Sequence, residues 1–205
     1  MPHIAHKKAL VIGATGAVGR DLVDQLLQDD AFESVVAFVR RPLAVESPKL
    51  TVHVIDFDHP ELWRQLLQGD VLFSCLGTTI RAAGSQAAQA ARENGVGTYA
   101  LVSSIGADPK SKIFYTRMKG ELEEAVKKLG FPACFILQPP SLVRKGSDRF
   151  GEKAGVVMLR AFNAIGLMRA WKPMPTEEVA AAMVRFAKSG RLATETVVAQ
   201  DILKV

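Results

Sequence analysis

From residue 8 to residue 139, short apolar runs alternate with amphipathic stretches, and this alternation leaves few folds open. ALVIG (9–13), SVVAFVR (34–40), TVHVIDF (51–57), DVLFSCLG (70–77), TYALVSS (98–104) and ACFILQPP (133–140) have strand length. Between them, RDLVDQLLQ (20–28) repeats Leu22, Val23, Leu26 and Leu27 at helical spacing. PELWRQLLQG (60–69) opens with Pro60 and stops at a glycine, which predicts a helix. FYTRMKGELEEAVKKLG (114–130) predicts another, again with a glycine stop. Strand and helix in this order build βαβ units, whose strands are covered on both faces and therefore read as continuous apolar runs. Right-handed crossovers then predict an α/β fold with a doubly wound parallel sheet. After residue 140 the pattern loosens. TEEVAAAMVRFAKSG (176–190) predicts a helix with Thr176 as N-cap and acids in its first turn. TVVAQDIL (196–203) predicts a last strand at a sheet edge.

The chain has 205 residues, which suits one domain with a sizeable core. There is no repeat, low-complexity segment or linker to divide it. Its apolar runs fall far short of the roughly 20 residues a membrane helix needs, so no membrane span is expected. The formal charge is +5. Its Lys and Arg are scattered and do not interleave with aromatics, which argues against nucleic acid and leaves a solvated basic surface or a pocket for a phosphorylated ligand. The two cysteines, Cys75 and Cys134, lie in apolar strand-like runs and read as buried hydrophobes in a reducing compartment. MPHIAHKK has no apolar region of the secretory kind. The expected location is cytoplasmic, with no metal site, since no histidine has a partner at ligand spacing.

The loop GATGAVG directly follows the first strand and opens the first helix. Gly13 permits a tight turn, Gly16 lets backbone approach a pyrophosphate, and Gly19 lets the helix pack close to the sheet. The free N–H groups of the loop, Ala17 among them, and the positive helix end would meet the phosphates. The second strand ends AFVRRP. An acid there takes a ribose 2′-hydroxyl, whereas arginine suits a 2′-phosphate. Arg40 and Arg41, with no acid beside them, are either solvated loop residues or a selector for NADP(H) over NAD(H). Asp56 in VIDFD either meets the adenine amino group or caps the helix that opens at Pro60. Leu76, Gly77 and Thr78 at the end of the fourth strand would face the ribose and nicotinamide.

YTRMK sets Tyr115 and Lys119 one turn apart on a single helix face. Two such residues are common on helix surfaces. Here they follow a phosphate loop and a strand that ends in Ser103 and Ser104, and together these make a catalytic set. A nearby ammonium favours the phenolate of Tyr115, which can then exchange a proton with a substrate oxygen. Lys119 would also hold the nicotinamide ribose. A serine hydroxyl would steady the substrate carbonyl. Neighbours on a strand point to opposite sides; spacing favours Ser103, with Ser104 second.

VIGATGAVGR, VRRP, SCLGTTIRAAGS, LVSSIGADPKSKIFYTRMKGELE and MPTEEVAAAMVRFA resemble the atypical short-chain dehydrogenase/reductases of the Tat-interacting-protein oxidoreductase type and their bacterial relatives. The resemblance covers nearly the whole chain. It implies one Rossmann-type NAD(P)-binding domain over residues 1–205, with residues 140–205 as a small substrate-side part. It implies an NADPH-binding oxidoreductase acting on a carbonyl or alcohol, with Ser103, Tyr115 and Lys119 catalytic, and with Thr15, Gly16, Val18, Arg40, Arg41, Leu76, Gly77, Tyr115, Lys119, Leu142 and Arg149 as cofactor contacts. Two features depart from the pattern. Only Ile80–Gly97 is available for the crossover between fourth and fifth strands, so a short helix is expected, with Asn94 too near its end to join a proton relay. Gln138 stands where relatives tend to carry arginine. These departures suit an alternative, a non-enzymatic NADPH sensor that binds a partner. VVMLRAFNAIGLMRAW (156–171) either packs in the core or pocket wall or forms a self-association surface, so a monomer or a homodimer is expected.

Overall fold

The computed structural model describes residues 6–77, 81–143 and 173–204. Its centre is a parallel sheet of seven strands: β1 (Lys7–Ile12), β2 (Phe32–Val39), β3 (Leu50–Val54), β4 (Val71–Ser74), β5 (Thr98–Val102), β6 (Ala133–Gln138) and β9 (Thr194–Val198). The strand order is β3-β2-β1-β4-β5-β6-β9. The order reverses between β1 and β4, which opens a crevice at the carboxyl ends of these two strands. A separate pair, β7 (Leu142–Val143) and β8 (Met174–Pro175), is also parallel.

Residue parity divides the core into two layers. Ala9, Val11, Ala100 and Val102 face one side, with α1 (Ala17–Gln28) and α4 (Thr176–Lys188). Leu10, Ile12, Tyr99 and Leu101 face the other, with α2 (Arg81–Glu93) and α3 (Phe114–Lys127). Phe135 of β6 stacks on Phe186 of α4, ring centres 4.6 Å apart. Both α4 and β9, which lie in the stretch expected to be substrate-side, are thus built into the main layered body. The helical reading of 156–171 falls outside the described residues.

Four local expectations change. Residues 60–69 form two short 3-10 turns, Pro60–Leu62 and Arg64–Leu66, not a helix. Trp63 between them is buried, and its indole N–H donates to the Asp56 carbonyl at 2.8 Å; burying this large ring outweighs continuing a regular helix. The crossover helix α2 has 13 residues, one more than α1, so the available segment suffices for a full helix. Asn94 follows it and donates to the carbonyls of Arg64 and Leu67 at 2.7 and 3.1 Å, which ties the crossover to the 3-10 turns. Thr176 is the first helical residue of α4 rather than its cap, which is Pro175 and forms no side-chain cap bond. The last strand stops at Val198, where Ala199 takes φ of 45° and the chain turns into a 3-10 segment.

Candidate active site at the sheet switch point

The loop after β1 sits in the crevice. Gly13 has φ of +81°, and a Cβ there would lie 2.6 Å from the Cys75 carbonyl carbon. Gly16 donates to the Gly13 carbonyl at 3.0 Å. At Gly19 a Cβ would lie 2.1 Å from the Gly13 oxygen, so α1 rests directly on the loop that precedes it. No carboxylate stands in the first turn of α1. The N–H groups of Ala17 and Val18 begin the helix and have no intrahelical acceptor. Val18 buries its side chain, while Thr15 and Ala17 are exposed. Arg20, which sequence reasoning did not single out, folds back so that its Nε donates to the Thr15 carbonyl at 3.1 Å. This brings a cation to the same loop.

The cleft beside the loop is lined by Gly13, Thr15, Gly16, Arg40, Leu76 and Gly77 from the expected set, joined by Phe38, Val39, Phe57 and Cys75. The apolar wall from Phe38 and Phe57 was not anticipated; the signal was Phe57 itself, next to the acid in VIDFD. A Cβ on Gly77 would meet nothing within 4 Å, so this glycine leaves the cleft open. Arg40 and Arg41 are exposed and form no ion pair among the described residues, with only Arg40 on the cleft. Asp56 is exposed and does not line the cleft. Its Oδ1 accepts from the Asp58 N–H at 3.0 Å, and His59 lies 3.9 Å from its carboxylate. Asp56 closes its own turn, and the cap position before Pro60 is His59, which forms no side-chain cap bond. Leu142 packs against the α1–α4 layer and is absent from the cleft lining. Thr78 and Arg149 fall outside the described residues. The glycine cradle, helix end, unpaired arginine and apolar wall fit a dinucleotide.

The second half of the site lies where β4 and β5 end beneath α3. Gly120 makes this packing close: a Cβ there would sit 2.3 Å from the Asp108 carbonyl carbon. Thr116 holds the same loop by donating its hydroxyl to Ser111 at 2.6 Å and accepting the Asp108 N–H on its carbonyl at 3.0 Å. Tyr115, half-buried, therefore opens the helix against the strand ends. Its phenol interacts with the Ser104 hydroxyl. Burial pushes the phenol above its ordinary range, and the Ser104 contact offsets part of that rise. Lys119 is buried and donates to the carbonyls of Leu76 and Val102 at 3.0 and 2.9 Å. An ammonium has three donors, so one remains. Burial lowers its pKa to about 8, against the opposing effect of Cys75 and Glu123. It stays protonated below that pH.

The two serines take different partners, and the Ser104 hydroxyl donates to the Ile105 carbonyl at 3.2 Å. Ser103 shares the parity of Leu101, which faces the α2–α3 layer, and its hydroxyl donates to Glu123 rather than meeting Tyr115. Ser104 is the hydroxyl at the phenol. Parity was readable in the sequence; which face carries the helix was not. Cys75 and Cys134 are free thiols. Burial raises the Cys75 thiol to about 12, and it packs 4.0 Å from the Met183 sulfur. His53 stacks on Phe38 at 5.4 Å. Among the described residues no cluster could hold a metal, and no helix is long and apolar enough to cross a membrane.

A parallel sheet of this order with a glycine-rich turn at its switch point defines an NAD(P)-binding, short-chain dehydrogenase/reductase-like fold. The sequence profile described as NAD(P)H-binding matches residues 13–189. The chain is 32% identical to the protein FMP52, mitochondrial, of Saccharomyces cerevisiae over 96% of its own length and 95% of that protein. It is 31% identical to protein HTATIP2 of Rattus norvegicus, over 77% of this chain and 70% of that one. The oxidoreductase ylbE from Lactococcus lactis has the same fold, with a TM-score of 0.70 at 17% identity, covering 93% of this chain and 89% of that one. The chain belongs to the NAD(P)H-binding family and, within it, to the atypical, HTATIP2-like short-chain dehydrogenase/reductases. The expectation of a cytoplasmic location is overturned, because its FMP52 relatives from several fungi are named as mitochondrial. Neither cysteine content nor an ordinary N-terminus distinguishes two reducing compartments.

Proposed function

We propose that the protein is an NADP(H)-dependent oxidoreductase acting on a carbonyl or alcohol. The observation that carries this reading is the buried ammonium of Lys119, one helical turn from Tyr115 and bonded to the strand-end carbonyls of Leu76 and Val102. The nicotinamide cofactor would supply the hydride. Gly13, Thr15, Gly16, Ala17 and Val18 would hold the pyrophosphate, and Leu76 and Gly77 would border the nicotinamide end. Tyr115, kept protonated by burial, donates its proton to a carbonyl oxygen in the reducing direction. Ser104 accepts or donates a hydrogen bond at the same oxygen and fixes its position. Lys119 holds positive charge beside the phenol and keeps one N–H for a ribose hydroxyl. The crossover helix has 13 residues, so a shortened crossover no longer supports the non-enzymatic sensor.

Two experiments test the reading. In a panel of aldehydes and ketones with NADPH, Ser104→Ala is expected to lower kcat about 10²–10³-fold, more than Ser103→Ala does. The opposite order would return the role to Ser103. Arg40 on the cleft supports selection of the 2′-phosphate. Arg40→Ala should weaken NADPH binding about 10–100-fold and leave NADH binding near its starting value, since a charge-assisted contact is worth about 1.5–3 kcal/mol. Fluorescence titration reads both; unchanged selectivity would remove Arg40 from this role.

A further inference from the structure

Behind Lys119, α3 carries a buried acid that the mechanism above does not use. Tyr115, Lys119 and Glu123 recur every four residues and so share one helical face. Glu123 is 4% exposed. Its Oε1 accepts from the Ser103 hydroxyl, and the Gln138 side-chain N–H₂ donates to Oε1 and Oε2 at 2.9 and 3.0 Å. Its close polar neighbours therefore act as donors, an arrangement suited to a carboxylate and not to its acid form. Ser103 and Gln138 are neutral, so they solvate the charge without cancelling it. Parity explains how they arrive: Ser103 continues the side of Leu101 on β5, and Gln138 continues the side of Ile136 on β6. A buried anion held this way is costly unless a cation answers it. Two cations are placed to do so. Lys127 lies 3.9 Å from Oε2 with its side chain 34% exposed, and Lys119 lies one turn toward the site with no solvent to screen it.

We propose that Glu123 is a positioning residue of the active site, the buried counter-charge that keeps Lys119 an ammonium beside Tyr115, with Ser103 and Gln138 holding its carboxylate in place. The role of Lys119 rests on the oxidoreductase reading, but the charge relation between the two side chains does not. Lys119 faces the Cys75 thiol and the Leu76 carbonyl from β4, the Val102 carbonyl from β5, and Tyr115 and Glu123 from its own helix. Burial of both Cys75 and Tyr115 keeps them neutral in the range where Lys119 titrates. Glu123 is thus the one anion facing Lys119 among the described residues. Burial drives the ammonium toward neutrality, and Cys75 and Glu123 oppose this.

The test is an NMR titration of ¹³C,¹⁵N-lysine-labelled protein without cofactor or substrate, with the Lys119 signal assigned by its loss in Lys119→Arg. The wild-type midpoint is expected at about 8. Glu123→Gln keeps the shape and removes the charge, and it should move that midpoint to lower pH. Gln138→Arg keeps Glu123 but gives it a fixed cation, and it should move the midpoint the same way. A merely structural role would lower the melting temperature and leave the midpoint of Lys119 in place. An unmoved midpoint in both variants overturns the proposal, and Gln138→Arg decides alone if Glu123→Gln does not fold. A moved midpoint in a protein that reduces no carbonyl would uphold the charge relation and count against the oxidoreductase reading instead.

Discussion

Tyr115→Phe is expected to lower turnover about 10²–10⁴-fold, the range for losing a positioned acid or base. The change removes one hydroxyl and leaves the ring. That ring is half-buried at the start of α3, and Thr116 and Gly120 hold this end of the helix to the 104–113 loop without it. Folding should therefore survive. The phosphate loop and Arg40 line the cleft and Tyr115 is not part of that lining, so NADPH affinity should stay close to that of the parent protein. The measurement is a paired one, with steady-state rates on a reducible carbonyl and a fluorescence titration with NADPH on the same preparation. A variant that keeps full activity rules out Tyr115 as the proton donor. A variant that loses binding and turnover together would assign Tyr115 to the cofactor alone.

The second large effect is expected at Gly19. A methyl group there would have to occupy space 2.1 Å from the Gly13 oxygen, 2.8 Å from its carbonyl carbon and 2.9 Å from the Ala14 Cα. All three are backbone atoms. Gly13 cannot retreat, since it is already in contact with the backbone of Cys75 and Leu76 in a conformation that other residues resist. The helix must move instead, and α1 carries Leu22 and Leu26, both fully buried. Gly19→Ala should cost about 1–3 kcal/mol by overpacking, read as a lower melting temperature, and NADPH binding should be lost as the loop is displaced. Gly77→Ala supplies the contrast. Its Cβ meets nothing within 4 Å, so stability should hold while the cofactor, which would run past this point, binds more weakly. Equal melting temperatures for Gly19→Ala and the parent would mean that the helix accommodates the methyl group, and that the contact does not define the loop.

Much of this architecture was legible because it rests on periodicity. The strands of continuous apolar residues and the 3.6-residue spacing of α1, α3 and α4 specify the sheet and its two covered faces. The glycine loop was legible because each glycine answers a local steric demand. The reading failed where a distant contact decided the outcome. Residues 60–69 have helical spacing, but the indole of Trp63 is drawn to the Asp56 carbonyl, a bond that no spacing rule contains. Ser103 and Ser104 are adjacent in sequence; that Ser103 is taken up by Glu123 depends on the face of β5 that α3 covers. Glu123 stands in an amphipathic helix, and nothing in its spacing marks it as buried. Its burial depends on Gln138, which arrives from a strand formed 15 residues later.

Lys119 ties the last carbonyl before Gly77 to the last carbonyl of β5. The same side chain therefore fastens two strand ends and serves the proposed chemistry. A descendant chain that abandoned catalysis would be under no pressure to keep the Tyr115 hydroxyl, yet it would still need something to bridge those carbonyls. Among relatives, the lysine should thus outlast the tyrosine. A sequence that retains the lysine alone is evidence of shared architecture, and the tyrosine is the better marker of a working enzyme.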